Sequence, residues 1–441
     1  MPNPSDSTVK NSLVNTFNRR EWIRMMAALQ GALLMPGGLV AGTKRKKNPT
    51  FLVVSGWQDV NIGDIAHTPG LLHVLETYFP EAKIILWKKS DLNEPVNRML
   101  HRNFPKVKII YGSVGPDKTV TQPEILEAFE EADMMVHGSG PSVVGMDHLS
   151  AWYTQTGKPF GIFGTTIQAV SEQLKPILQK ASFIFTRETA SVEVVKKAGI
   201  SGMPILFAPD ATFLLHIRDD RKALPFLAEK GLEQGKFICA IPRLRYTPYH
   251  KIRQVDWSEE KIRQVEETNE KYKEADHAKL REAIITWVRN TGNKVLVCPE
   301  MTYQVDIMDE LLIDPLPHEV KPFVLKRGYW LPDEAASVYT RARAVLSFEC
   351  HSPIIALAGN VPAFYLRQPE DTIKGQMYYD LGADPWIFEI ERTSGKQISN
   401  RLMEVVNAPE LADERVKTIQ EKVRMHYDMA ISEMKRVYDQ I

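Results

Sequence analysis

From residue 50 onward, short apolar runs alternate with longer stretches whose apolar positions recur at three- and four-residue spacing. The runs at 51–55, 83–87, 107–111, 133–137, 159–163, 183–186 and 204–208 are rich in β-branched and aromatic residues and predict strands. Amphipathic segments such as 69–78, 122–131 and 190–198 lie between them and predict helices. This alternation predicts a parallel sheet flanked by helices, a Rossmann-like domain over residues 48–215. A second set of runs at 237–241, 294–298, 322–325, 344–348 and 362–366 predicts another such domain over residues 236–395. The segment 216–235 carries charges, Pro225, Gly231 and Gly235, and reads as a linker or short helix. Residues 255–289 form a charged helical insertion, the pattern of a solvated helix face. Near the end, Val416, Ile419, Val423, Tyr427, Ala430, Met434 and Val437 recur at helical spacing. Residues 396–441 are therefore assigned to a C-terminal helix packing on the core. The expected class is α/β, with two Rossmann-like domains facing a cleft; a single large sheet is the alternative.

Length and charge narrow the picture. A chain of 441 residues exceeds one typical domain. Lys plus Arg and Asp plus Glu are both 55, so bulk charge makes no case for nucleic acid or an anionic membrane. Three cysteines are too few for a disulfide framework, and Cys239 and Cys298 lie in apolar runs that bury thiols. No metal-ligand cluster stands out, and no metal is expected.

The first residues read as a targeting segment. Arg19-Arg20 is followed by Trp22, Ile23 and Arg24, then by a weakly apolar stretch, 25–40, interrupted by Gly31, Pro36, Gly37 and Gly38. That stretch is too short and glycine-rich for a good membrane span. Val40-Ala41-Gly42 offers small residues for cleavage, and Lys44 to Lys47 adds basic charge. The pattern is that of a twin-arginine (Tat) signal over residues 1–42. It predicts a bacterial protein exported by the Tat machinery to the periplasm; a frayed cytosolic helix is the competing reading.

Candidate chemistry falls at strand ends, where open α/β sheets bind ligands. After the first strand comes a loop with Asn61 and Asp64, residues suited to capping a helix or to facing the cleft. His137-Gly138-Ser139-Gly140 follows the fourth strand; its glycines permit close approach of a ligand, and His137 serves equally as a structural histidine. Arg187 ends a strand, where it can hold a carboxylate bidentately or pair with Glu188. Asp210 follows a strand and is placed to orient a basic group or to serve structure alone. Arg243 opens an aromatic-rich loop that can line the cleft. The most informative stretch, residues 347–367, is a strand, the loop Glu349-Cys350-His351, a small-residue helix and another strand, with Lys374 downstream. Glu349 and His351 form a plausible acid–base pair.

The order of these pieces resembles the polysaccharide pyruvyl transferase family. Asn61-Ile62-Gly63-Asp64 matches its N-x-G-D motif, His137 to Gly140 its glycine-rich turn, and Arg187-Glu188-Thr189-Ala190-Ser191 its R-[DE]-x-x-S motif. Pro209-Asp210 matches P-D, while Glu349-Cys350-His351 and Gly359-Asn360-Val361-Pro362 match part of R-x-H and G-x-P. The resemblance implies two Rossmann-like domains in a GT-B-like arrangement. It also implies a reaction that moves the enolpyruvyl carbon of phosphoenolpyruvate onto two sugar hydroxyls as a ketal. Catalytic roles fall on His351 and Glu349. Substrate binding falls on Asn61, Asp64, His137, Ser139, Arg187, Asp210, Arg243 and Lys374. No cofactor is implied; phosphoenolpyruvate enters as donor substrate if the protein is a transferase, and the other partner is a polysaccharide or oligosaccharide.

One residue departs from the pattern. Glu349 stands where the family has arginine, a change of two charge units. Two unit charges about 5 Å apart interact by roughly 3 kcal/mol at an effective dielectric near 20. An ionised Glu349 facing the ligand disfavours phosphoenolpyruvate, and export removes the protein from cytosolic metabolites. Cleaving a glycan pyruvate ketal instead needs one acid and one base through an oxocarbenium-like state. Three readings follow: pyruvyl transfer to sugar hydroxyls, exported hydrolysis of pyruvate ketals, and glycan binding without catalysis.

Overall fold

The computed structural model describes residues 48–440. The expected Tat signal, residues 1–42, lies outside them. Among the described residues no helix is long and apolar enough to cross a membrane.

Two separate parallel sheets form, which excludes the single-sheet alternative. The first contains β1 (Thr50–Ser55), β2 (Lys83–Lys88), β3 (Lys108–Tyr111), β4 (Met134–His137), β5 (Phe160–Thr165), β6 (Phe183–Thr186) and β7 (Ile205–Phe207) in the order β3-β2-β1-β4-β5-β6-β7. The second contains β8 (Phe237–Ile241), β9 (Lys294–Val297), β10 (Val324–Lys326), β11 (Ala344–Ser347), β12 (Ala363–Arg367) and β13 (Ile387–Glu389) in the order β10-β9-β8-β11-β12-β13. The central strands are buried on both faces, as continuous apolar runs such as FLVV and FICAI require. Val53 pairs with Val136, and Cys239 with Val345. Strand order reverses between β1 and β4 and again between β8 and β11, so each sheet has a switch point where loops diverge and leave a crevice.

Helices join the two layers. The first, α1 (Ile62–Tyr78), starts seven residues before the amphipathic pattern does. Asn61 Oδ1 accepts the N–H of Gly63 at 2.6 Å and of Asp64 at 3.3 Å, so the side chain sets the start of the helix. The helix is buried on nearly every side, which hides its period. It packs against the turn Ala211–Leu214 and against two helices beside the second sheet, α3 (Pro332–Tyr339) and α4 (His351–Ala358). Backbone bonds tie the same corner together: Ile62 N donates to Glu300 O at 2.9 Å and Thr302 N to Val60 O at 3.0 Å.

The charged insertion is helix α2 (Glu259–Thr291), but its second half buries Leu280, Ile284, Trp287 and Val288, so only part of it is a solvated face. The joining segment holds a helix, Asp220–Lys230. Strand β13 has only three residues, too few to show a pattern in sequence. The chain ends in α5 (Gly395–Asn407) and α6 (Pro409–Tyr438). All seven apolar positions noted in α6 are buried. This helix returns to the first sheet: Tyr427 stacks on Phe163, and its hydroxyl donates to Pro209 O at 3.0 Å and Asp210 O at 2.8 Å. Replacing Tyr427 with Phe leaves those buried carbonyls short of a donor. The expected result is a loss of about 1–2 kcal/mol, read as a lower urea midpoint with an unchanged slope.

Candidate active site

A cavity of about 320 Å³ opens where loops from both sheets meet. Asn61, Asp64 and Arg187 reach it from the first sheet, and Arg243, Glu349, His351 and Lys374 from the second. Asp210 lies directly beneath, fully buried. The structure thus brings together eight of the ten residues singled out in sequence. A larger cavity, about 890 Å³, lies between α2 and residues 303–311 and holds none of them.

Asp210 is the hub. Its Oδ2 accepts from Arg187 Nη1 at 2.7 Å and lies 3.7 Å from His351 Nε2, too far for a hydrogen bond; its Oδ1 lies 3.1 Å from His67 Nδ1 and accepts Thr212 N at 2.9 Å. Arg187 therefore pairs chiefly with Asp210, while Glu188 is 3.8 Å away. Burial pushes the Asp210 carboxyl up, but His67, His351 and Arg187 outweigh it and hold it well below the usual range. His67 is driven down by burial against the pull of Asp210. For His351 burial acts downward too, but Cys350, Asp210 and Glu300 raise it well above an ordinary histidine. Its second nitrogen, Nδ1, is 3.4 Å from Glu300 Oε1 and 3.5 Å from Cys350 Sγ. An imidazolium between two carboxylates is the result.

Glu349 occupies a different setting. Gln304 Nε2 donates to its Oε1 at 2.7 Å, and Arg243 Nε lies 3.4 Å from its Oε2. Arg243 also donates to Asp371 Oδ1 at 2.7 Å and Gln368 Oε1 at 3.2 Å. Lys374 Nζ is 2.8 Å from that same Asp371 oxygen, and Tyr365 donates to the other at 2.6 Å. Burial pushes the Glu349 carboxyl up to about 7; Arg243 opposes this and nearby Glu300 reinforces it. Asp371 is buried as well, but Arg243 and Lys374 hold it below the usual carboxylate range. One acid is thus kept ionised and the other is poised near neutrality, the divergence that general acid–base sites use. Glu349 is tied to an amide and a guanidinium rather than standing as a free anion before a ligand.

The glycine of the N-x-G-D motif has a steric reason. A Cβ on Gly63 would lie 2.3 Å from His351 Nδ1, so the first motif and the histidine motif fit only without a side chain there. Asn61 caps α1, and Asp64 accepts from Gln58, which also donates to Tyr249 at 3.2 Å across the cleft.

His137 and Ser139 are not brought into the cavity. His137 stacks on Trp57 with ring centroids 4.8 Å apart, and its Nε2 accepts Gly145 N at 2.9 Å. Burial lowers it to about 3, a neutral ring. Ser139 Oγ accepts Ala211 N at 2.9 Å, and its carbonyl accepts Trp57 Nε1 at 2.6 Å. Sequence reading missed His67, Glu300 and Gln304. His67 sits inside a helix without a motif around it, while Pro299-Glu300 follows a strand end, a position that was the one available signal.

His67, Asp210 and His351 offer ligand atoms within 4.8 Å of one another, the donor types of a divalent cation site. Arg187, however, already supplies a cation to Asp210.

This architecture is that of GT-B glycosyltransferases and UDP-N-acetylglucosamine 2-epimerases. A Listeria monocytogenes protein assigned as a UDP-N-acetylglucosamine 2-epimerase superposes with TM-score 0.59 at 11% identity, over 89% of this chain and 98% of that one. The UDP-GlcNAc 2-epimerase of Neisseria meningitidis bound to UDP-GlcNAc gives 0.54 at 10%, over 88% and 100%. HepE of Anabaena with UDP-glucose gives 0.52 at 10%, over 89% and 98%. At such identities the likeness concerns fold alone. No curated protein sequence matches this chain significantly. The chain belongs to the polysaccharide pyruvyl transferase family, whose model matches residues 61–368.

Gly63→Ala tests the contact between the two motifs. The added methyl displaces the His351 ring, and a cost of about 1–3 kcal/mol is expected from overpacking. In NMR spectra the His351 imidazole resonances shift, while far-ultraviolet circular dichroism is unchanged.

Proposed function

We propose that this protein transfers a pyruvyl group from an enolpyruvyl phosphate donor to two hydroxyls of a glycan, forming a ketal. The observation that carries this reading is the pairing, in one cleft of the family's fold, of a carboxyl poised near neutrality with a fixed imidazolium, Glu349 and His351. Arg187, Arg243 and Lys374 line the same cleft and favour an anionic donor.

In this mechanism Glu349 gives its proton to the methylene carbon of the donor, leaving an oxocarbenium-like centre at the neighbouring carbon. A sugar hydroxyl oxygen adds there, and its proton returns to Glu349. The C–O bond to phosphate breaks with its electron pair, and a second hydroxyl closes the ketal while its proton leaves with phosphate. The His351 cation and the arginines offset the donor's negative charge throughout.

Hydrolysis of an existing ketal is the second reading. It is favoured by Glu349 at the family's arginine position and by the twin-arginine N-terminus. Glu349 then protonates one ketal oxygen as its C–O bond breaks, water adds to the oxocarbenium carbon and returns a proton to Glu349, and the hemiketal collapses to free pyruvate and the glycan diol. Export to the periplasm by the Tat machinery belongs to this proposal. A reporter fused to residues 1–48 is expected outside the cytosol, and retention inside removes that support.

Incubating the purified protein with phosphoenolpyruvate and an acceptor glycan is expected to release phosphate and form the ketal. Free pyruvate from a pyruvylated glycan alone would favour hydrolysis, and binding without reaction would leave a glycan-binding protein. Glu349→Gln and His351→Ala are each expected to lower kcat by roughly 10²–10⁴. Because the acid must be protonated, the rate falls as pH rises through about 7. A rate that grows across that range sinks Glu349 as the proton donor.

A further inference from the structure

One short loop after β9 reaches both reactive side chains. Glu300 is fully buried; its Oε2 accepts from Ser352 N at 2.6 Å and Ser352 Oγ at 2.8 Å. Its other oxygen, Oε1, has no hydrogen-bond partner besides the approach to His351 Nδ1. Four residues on, Gln304 is also fully buried. Its Oε1 accepts two backbone N–H groups, Glu300 at 2.7 Å and Met301 at 3.0 Å. Those two donors fix which end of the amide is oxygen. The nitrogen end must therefore face Glu349 Oε1, where it requires an acceptor. An oxygen that accepts this bond is the poorer seat for the carboxyl proton, whereas Oε2 accepts none, since Arg243 Nε at 3.4 Å makes no hydrogen bond.

We propose that Glu300 and Gln304 are a joint positioning device: Gln304 confines the transferable proton to Glu349 Oε2, on the side of Arg243 and the cavity, and Glu300 keeps a hydrogen on His351 Nδ1. At the other nitrogen, Nε2, Asp210 Oδ2 stands 3.7 Å off and makes no hydrogen bond, so Glu300 is the nearer of the two carboxylates that flank the ring. The device is also anchored to the first sheet, because Glu300 O accepts the N–H of Ile62 at the start of α1. The segment that carries both side chains is thus bonded to the elements of both sheets. This inference rests on the reading of Glu349 as proton donor.

The groups facing Glu349 are Arg243 after β8, Glu300 and Tyr303 after β9, and Lys374 and Asp371 after β12, with Tyr249 beyond. Removing the Gln304 donor takes a hydrogen bond from the ionised carboxylate, so its pKa rises. The size expected is roughly one to two units, from a bond to a charged group.

The test is a carbon-13 titration of carboxyl-labelled glutamates in the full-length protein, with Glu349→Gln identifying the resonance. Gln304→Leu is expected to raise the Glu349 midpoint by that amount. Gln304→Glu, which keeps the shape and one acceptor oxygen, is expected to raise it at least as far. In activity, both variants move the falling pH limb upward with the midpoint. Glu300→Gln is expected to lower the His351 titration seen by nitrogen-15 NMR. Unchanged midpoints for Glu349 in both Gln304 variants, in protein that melts cooperatively, overturn the inference while a working wild type keeps the functional reading. A wild type inactive in both pyruvyl assays overturns the functional reading, and the two titrations still decide the positioning device.

Discussion

A buried carboxylate is costly unless opposite charges and donors surround it. Asp210 satisfies that condition with Arg187 from β6, His67 from α1, His351 from α4 and the backbone of Thr212. No one of these elements can move away without stranding a charge. The C-terminal helix closes the same point from behind, through Tyr427 on the carbonyls of Pro209 and Asp210. The juncture of the two sheets is thus organised around one side chain, and the cleft lies directly above it. The same charge adds to the influence of Cys350 in raising the proton affinity of His351.

Glu349 shows how a charge change in one motif is absorbed elsewhere. By sequence it places an anion where the family has a cation. In the fold, Arg243 approaches from the end of β8 and Gln304 from the loop after β9. Burial raises the carboxyl to about 7, so at neutral pH it carries only part of a charge. The roughly 3 kcal/mol repulsion expected of a free anion is reduced accordingly. The cavity keeps Arg187, Arg243 and Lys374 at its margin. A carboxyl that is half protonated in the working range is also better suited to giving a proton than an arginine would be.

Much of this arrangement was legible in the chain. Strand runs with intervening helical periods are local signals, and strand-end loops are where α/β sheets present ligands, so Asn61, Asp64, Arg187, Arg243, Glu349, His351 and Lys374 were found without coordinates. His137 and Ser139 were also at a strand end, but Trp57 packs over that loop and engages both. Nothing in a glycine-rich turn reveals that an aromatic ring from 80 residues earlier will fill it. Gly63 was visible as a motif glycine, yet its reason, the His351 ring against it, is a contact between distant segments.

The amino-acid order by itself determined the α/β class, the family and the positions of the loops, because periodicity and turn chemistry act over a few residues; that the strands divide into two sheets was decided by the fold. Only the tertiary structure decided which groups face one another: His67 beneath His351, Glu300 beside its other nitrogen, Gln304 against Glu349. Proton affinity and charge in a buried site depend on burial and on neighbours within a few ångströms. Those neighbours come from segments separated by tens to hundreds of residues, so the charge environment of each group exists only in the folded chain.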